Sequence, residues 1–131
     1  MRYENVLSTC PYCGTGCNLY LQVLDGEIVG IQPCKEHPVS EGKLCIKGWT
    51  ANEFINHKDR LKKPLVRVSG KLKEASWDAA LDRVARELKG FAPGEVGVLT
   101  SAKTCNEDNY LMQKFGRAVL KTNNIDHCAR L

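Results

Sequence analysis

Apolar and polar residues alternate over residues 18–23, with Leu19, Leu21 and Val23 on one side and Asn18, Tyr20 and Gln22 on the other. A period of two predicts a half-buried strand. Asp25-Gly26 follows, a pair that tolerates positive φ at both central positions of a tight hairpin, so a return strand is expected over 27–31, ending at Pro33. Residues 33–44 carry no period, and Pro38 and Gly42 break them into an ordered loop. Thr50-Ala51-Asn52-Glu53 fits the capping-box pattern, predicting a short helix over about 51–57. A second hairpin is expected from 65–68, Ser69-Gly70 and 71–74.

Pro64 marks the boundary between two structural units, and after the second hairpin the period lengthens. Ser76 is a candidate helix N-cap, with Asp78 in the first turn favouring the helix dipole. Trp77, Leu81, Val84 and Leu88 recur at i, i+4, i+7 and i+11, a stripe expected to face a core, and Gly90 ends the helix. Residues 95–100 carry Val96, Val98 and Leu99, a short run suited to a buried parallel strand. Residues 101–105 read as a strand-to-helix loop. Asn106, with Glu107 and Asp108, opens a helix to about Leu120, with Leu111, Phe115 and Ala118 on its buried side. The fold class is α+β: a small antiparallel-sheet domain over 1–63, then the helix–strand–helix opening of a doubly wound α/β domain over 64–131. One strand cannot make a sheet, and both helices would leave apolar stripes uncovered. The pattern therefore reads as a chain that stops partway through a domain.

Composition narrows the class. Of 131 residues, 43% are hydrophobic and 26% charged, the balance of a globular chain. No apolar run approaches the ~20 residues of a membrane span, and residues 1–9 hold neither a signal-peptide core nor a twin-arginine pair, so a cytoplasmic location is expected. The formal charge is +4, with basic residues densest from Lys58 to Lys73. No aromatic side chain is interleaved to stack bases, which argues against nucleic-acid binding. That segment reads as a solvated face, or as a dock for an anionic cofactor or an acidic partner subunit.

Seven cysteines, an odd number without a secretory signal, point to metal ligation plus plain thiols. Cys10, Cys13 and Cys17 follow C-x2-C-x3-C, and Cys45 arrives 27 intervening residues later. A zinc ribbon presents two short knuckles, whereas three thiols from one loop and a lone fourth suit an iron–sulfur cubane. Zinc stays open on spacing alone. Gly14 and Gly16 allow backbone to wrap closely and turn N–H groups toward sulfur. Cys34 competes with Cys45 as fourth ligand. Cys105 and Cys128 are expected to be small buried hydrophobes. His127 and Cys128 are adjacent and point different ways, which disfavours a nucleophile pair, and His37 and His57 are expected to face solvent. Lys47, two residues after Cys45, is either a surface lysine or an ammonium that favours a reduced cluster and bridges to a second cofactor.

Cys10-Pro11-Tyr12-Cys13-Gly14-Thr15-Gly16-Cys17, then His37-Pro38-Val39 through Glu41-Gly42-Lys43-Leu44-Cys45-Ile46-Lys47-Gly48, resembles the N-terminal end of the molybdopterin oxidoreductases. Within them it most resembles the catalytic α subunit of formate dehydrogenases. Ser76-Trp77-Asp78-Ala79-Ala80-Leu81, Asn109-Tyr110-Leu111-Met112-Gln113-Lys114-Phe115 and the closing Thr122-Asn123-Asn124-Ile125-Asp126-His127-Cys128-Ala129-Arg130-Leu131 extend the match across the chain. The resemblance implies that Cys10, Cys13, Cys17 and Cys45 ligate one [4Fe–4S] cluster, and that Lys47 lies between cluster and pterin. It also implies oxidation of formate to carbon dioxide at molybdenum or tungsten held by two molybdopterin guanine dinucleotides. Electrons then leave through the cluster to an iron–sulfur β subunit. Ser101 and Asn106, at a strand end and a helix start, are expected to meet a dinucleotide phosphate.

In that family the Cys-Ala-Arg-Leu ending is followed by the cysteine or selenocysteine that binds the metal, then by a catalytic histidine. This chain stops at Leu131, so the next codon is expected to be UGA, encoding selenocysteine; sequencing past codon 131 checks this. On that expectation the 131 residues alone are inactive. Other readings are a nitrate reductase of the same family, a stand-alone iron–sulfur carrier, and a zinc-binding interaction domain.

Overall fold

The computed structural model describes residues 1–128; the closing Ala129-Arg130-Leu131 of the sequence match, and the metal ligand expected after it, lie outside the described residues. The chain divides into two compact units that do not follow chain order. One holds Met1–Arg60, Leu99–Met112 and the residues from His127; the other holds Leu61–Val98 and Gln113–Asp126.

In the first unit, β1 (Tyr3–Thr9), β2 (Asn18–Leu24) and β3 (Glu27–Pro33) form an antiparallel sheet in that order. The β2–β3 turn carries Asp25 at φ 48° and Gly26 at φ 88°, the two left-handed positions that a two-residue hairpin needs. Asp25 also ties down the entry to β1, its carboxylate accepting from the Arg2 amide at 2.7 Å. Strand β1 was not anticipated. Its residues are almost all exposed, and it is held by its register on β2, Tyr3 opposite Leu24 through Thr9 opposite Asn18. The unit's buried centre is Cys10, Leu19, Cys34 and Ala51. Leu19 is 1% exposed, so Leu19→Ala is expected to cost about 2–5 kcal/mol of stability, read as a fall in the midpoint of anaerobic urea unfolding.

The first helix corrects the capping-box expectation. Helix α1 spans Ile46–Trp49, with Cys45 at its N-cap and Thr50 at its C-cap, while 51–55 are turns. Thr50 cannot serve as an N-cap because its hydroxyl donates back to the Ile46 carbonyl at 3.0 Å, and the Glu53 amide closes a turn onto the Thr50 carbonyl instead. Local pattern lost to the packing of Gly48, which is buried against Leu44.

In the second unit, β4 (Leu65–Val68) and β5 (Lys71–Glu74) form the expected hairpin, turned by Ser69 at φ 50° and Gly70 at φ 80°. Helix α2 (Trp77–Lys89) starts where expected, Ser76 Oγ accepting from the Ala79 amide at 3.2 Å. Its stripe does not face a core here: Trp77, Leu81 and Val84 are 67%, 58% and 54% exposed. A 3₁₀ turn at Pro93–Glu95 leads to β6 (Val98–Ser101), whose start is later than expected.

Helix α3 (Asn106–Ala118) and β7 (Ile125–Cys128) complete the order, and the division between units runs through β6, α3 and β7. The second strand, β7, was not anticipated; it pairs with β6 in a two-stranded sheet. The Val98 amide donates to Asn124 and the Ala102 amide to Cys128. Both partners advance together, the pattern of parallel strands. The expected buried face of α3 is also corrected. Leu111, Phe115 and Ala118 are exposed and Gly116 is buried, because a Cβ at Gly116 would sit 3.2 Å from Ile125 Cδ1 and 3.3 Å from Val98 Cγ2. Close approach of helix to strand, rather than a leucine stripe, sets that face. Among the described residues no helix is long and apolar enough to cross a membrane.

Candidate metal centre

The missing strand explains the cysteine motif. Residues 10–17 are the connection between β1 and β2, and the Cys10 amide donates to the Cys17 carbonyl at 2.8 Å to close its neck. Inside, Gly16 at φ 62° donates to the Cys13 carbonyl at 3.2 Å, a bend that a side chain would strain. Three thiols are thereby held on one rigid-necked loop. Cys10 is buried, Cys13 and Cys17 half-buried. Cys45 stands exposed at the start of α1.

The electrostatics tie these four together. Burial pushes the Cys17 thiol up, and charge on Cys10, Cys13 and Cys45 adds to the push. Cys13 moves the other way, held below the usual thiol range by the Thr15 hydroxyl, 3.4 Å from its sulfur, and by the Thr15 amide. The Gly48 amide lowers Cys45, with the Lys47 amide and ammonium assisting against burial. Lys47 is half-buried and acts on both Cys13 and Cys45. Mutual repulsion among thiolates, offset in part by the Thr15 hydroxyl, backbone amides and the Lys47 charge, is a donor set that a cationic centre would stabilise. Among the described residues, no three His, Cys, Asp or Glu side chains converge as a single metal ion requires. The chemistry of four thiols, three of them on one closed loop, fits an iron–sulfur cluster.

Cys34 is buried elsewhere, its sulfur 3.8 Å from the Tyr20 hydroxyl and 3.6 Å from Glu36 Oε2. The sulfur–phenol contact raises Tyr20 above its ordinary value. Cys105 is half-buried, its thiol donating to Asp108 Oδ2 at 3.1 Å, and Cys128 is exposed, so neither is the buried apolar thiol expected. The Asp108 amide favours the Cys105 thiolate, but the Asp108 carboxylate, burial and Glu107 together outweigh it and raise the thiol. His57 faces solvent as expected. His37 does not: it is half-buried, its Nδ1 accepting from the Ser40 amide at 3.2 Å and lying 2.9 Å from the buried Ser40 hydroxyl.

The loop after β6 is organised by residues that sequence reasoning passed over. Asn109 donates to the Ser101 carbonyl at 3.0 Å, and Thr104 donates to the same carbonyl at 3.0 Å. Ser101 Oγ accepts from the Lys103 amide at 3.1 Å. Asn106 reaches the cysteine loop, its Nδ2 donating to the Gly14 carbonyl at 3.4 Å. The signal for Thr104 and Asn109 was a polar pair flanking a helix start. Thr15, a lone hydroxyl inside a thiol loop, was the equivalent signal for Cys13.

Residues 3–57 match the Fe4S4 domain of the molybdopterin oxidoreductases, and residues 60–131 match the molybdopterin oxidoreductase domain itself. The chain belongs to the molybdopterin oxidoreductase family. It is 55% identical, over all of its length, to the F420-dependent formate dehydrogenase 1 subunit alpha of Methanococcus maripaludis. It is 52% identical, over 98% of its length, to the second such subunit of that organism, and 52% identical, over all of its length, to the F420-dependent formate dehydrogenase subunit alpha of Methanocaldococcus jannaschii. It covers 19% of each of those relatives, so the chain spans about a fifth of the length of the curated relatives it matches. The family supports a [4Fe–4S] cluster and a molybdopterin as its cofactors.

Proposed function

We propose that this chain is the cluster-bearing part of a formate dehydrogenase catalytic subunit, in which Cys10, Cys13, Cys17 and Cys45 ligate one [4Fe–4S] cluster. The observation that carries the ligand set is the loop, closed by the Cys10 amide on the Cys17 carbonyl, that holds three of these thiols within the residues matching the Fe4S4 domain, while the Cys34 sulfur is engaged by Tyr20 and Glu36. Formate as substrate rests on the identity to three formate dehydrogenase subunits across nearly the whole chain, which favours it over nitrate. When bound, the pterin-held metal supplies the two-electron oxidation of formate to carbon dioxide, and the cluster supplies one-electron transfer.

The chain's own residues prepare that exit. The Thr15 hydroxyl and the Gly48 amide favour thiolate at Cys13 and Cys45, the form that binds iron. The Lys47 ammonium offsets their negative charge and is the residue through which an electron would pass from pterin to cluster. Ser101 and Asn106 are proposed to face the pterin dinucleotide from the loop after β6, and an electron-accepting iron–sulfur subunit completes the path. The relatives' names make the deazaflavin F420 the expected final acceptor. In the intact enzyme, formate is expected to drive F420 reduction while nitrate is not consumed; nitrate reduction with formate inert would overturn the substrate.

A further inference from the structure

Gly14 is a glycine for an unusual reason. Its φ is not left-handed, unlike that of Gly16, so backbone conformation does not demand it. Space does. A Cβ at Gly14 would collide with the Asn106 side chain, pressing on its Oδ1 and lying 2.9 Å from Cγ and 3.0 Å from Nδ2. Asn106 stands 92 residues further along the chain, at the start of α3, yet belongs to the same compact unit and donates to the Gly14 carbonyl.

The Gly14 carbonyl and the Thr15 N–H belong to one peptide, and a trans peptide is planar with the two groups on opposite sides. Holding the oxygen toward Asn106 therefore aims the Thr15 N–H away from it, and the hydroxyl of the same Thr15 lies 3.4 Å from the Cys13 sulfur. A peptide freed from Asn106 could flip, since glycine opposes neither orientation. We infer that Asn106 is a positioning residue for the cluster loop, fixing the orientation of the Gly14–Thr15 peptide next to Cys13. The inference rests on the proposed ligand role of Cys13. It gives Asn106 a task in the loop that a dinucleotide contact would not require.

The test uses the intact protein purified anaerobically, with iron and sulfide content, the EPR spectrum of the reduced cluster and the rate of cluster loss to a chelator as readouts. Asn106→Ala, Asn106→Asp and Gly14→Ala are compared with the double variant Gly14→Ala/Asn106→Ala. Asn106 is exposed, so its replacement leaves folding intact. The aspartate keeps the shape of Asn106 but cannot donate to a carbonyl. All variants are expected to assemble the cluster and to lose it about threefold to tenfold faster, the worth of one modest hydrogen bond. A length of 3.4 Å puts Asn106→Ala toward the lower end. The g-values should shift, and the double variant should be no faster than its faster parent, because both changes break one contact. A wild-type cluster with unchanged loss rates in the variants would overturn the role of Asn106 alone. So would an aspartate variant that behaves as wild type, or variants that lose pterin while cluster lifetime holds. A wild-type protein without iron or sulfide would overturn the ligand assignment, and this inference with it.

Discussion

Replacing Cys45 by serine is expected to remove the fourth corner of the cluster, dropping iron from about four per chain to about three or fewer, whereas Cys34→Ser keeps the full complement. The contrast follows from where the sulfurs lie. Cys45 caps α1, where the Gly48 and Lys47 amides favour its thiolate and where it interacts with Cys13. Cys34 ends the β2–β3 ladder, its amide donating to Asn18, and its sulfur is engaged by Tyr20 and Glu36. Serine at position 45 presents a hydroxyl that ionises far less readily than a thiol, so the site should bind iron at three corners or fall apart. Anaerobic iron and sulfide analysis reads the difference directly. Loss of the cluster in Cys34→Ser with retention in Cys45→Ser would reverse the assignment.

Lys47→Gln is expected to have the second-largest effect, and on electron transfer rather than on assembly. Among the described residues no carboxylate pairs with Lys47, so its charge acts on the thiols. Reducing a cluster adds negative charge, and an ammonium within a few ångströms stabilises that state. The lysine is partly solvent-exposed, so the effect is well below the buried-charge limit. A shift to more negative potential of about 59 mV, tenfold in equilibrium for a one-electron couple, is the expected scale. Formate-driven cluster reduction should slow by up to about tenfold, the change in the equilibrium constant, while iron content stays unchanged. Lys47→Arg keeps the charge and should recover the potential. Potentiometric titration of the glutamine and arginine variants checks both statements. An unchanged potential in Lys47→Gln would mean that the charge is screened from the cluster.

Both hairpins of this fold could be read from the chain, because Asp25-Gly26 and Ser69-Gly70 carry their own turn chemistry at positive φ. The Ser76 cap and the span of α2 were readable for the same local reason. That Cys10, Cys13 and Cys17 share one loop was readable because their spacing is local. What escaped was set by partners distant in sequence. Strand β1 is polar and exposed at most positions, and only its pairing with β2 reveals it. Strand β7 depends on β6 in the same way. The capping-box residues misled because Thr50 spends its hydroxyl on ending α1, which no window around residues 50–53 displays. The α3 face was misjudged because Gly116, not leucine, makes the close approach to Val98 and Ile125. The contact between Asn106 and Gly14, separated by 92 residues, was out of reach of any local pattern.

We propose that these four thiols hold the electron exit of a formate-oxidising site. The proposal is tested most directly by mixing the anaerobically purified, pterin-loaded enzyme with formate and recording low-temperature EPR. About four iron and four sulfide per chain are expected in this domain, with a reduced [4Fe–4S] signal that appears with formate and vanishes in Cys45→Ser. Zinc without sulfide, or a cluster that dithionite reduces and formate does not, would contradict the proposal.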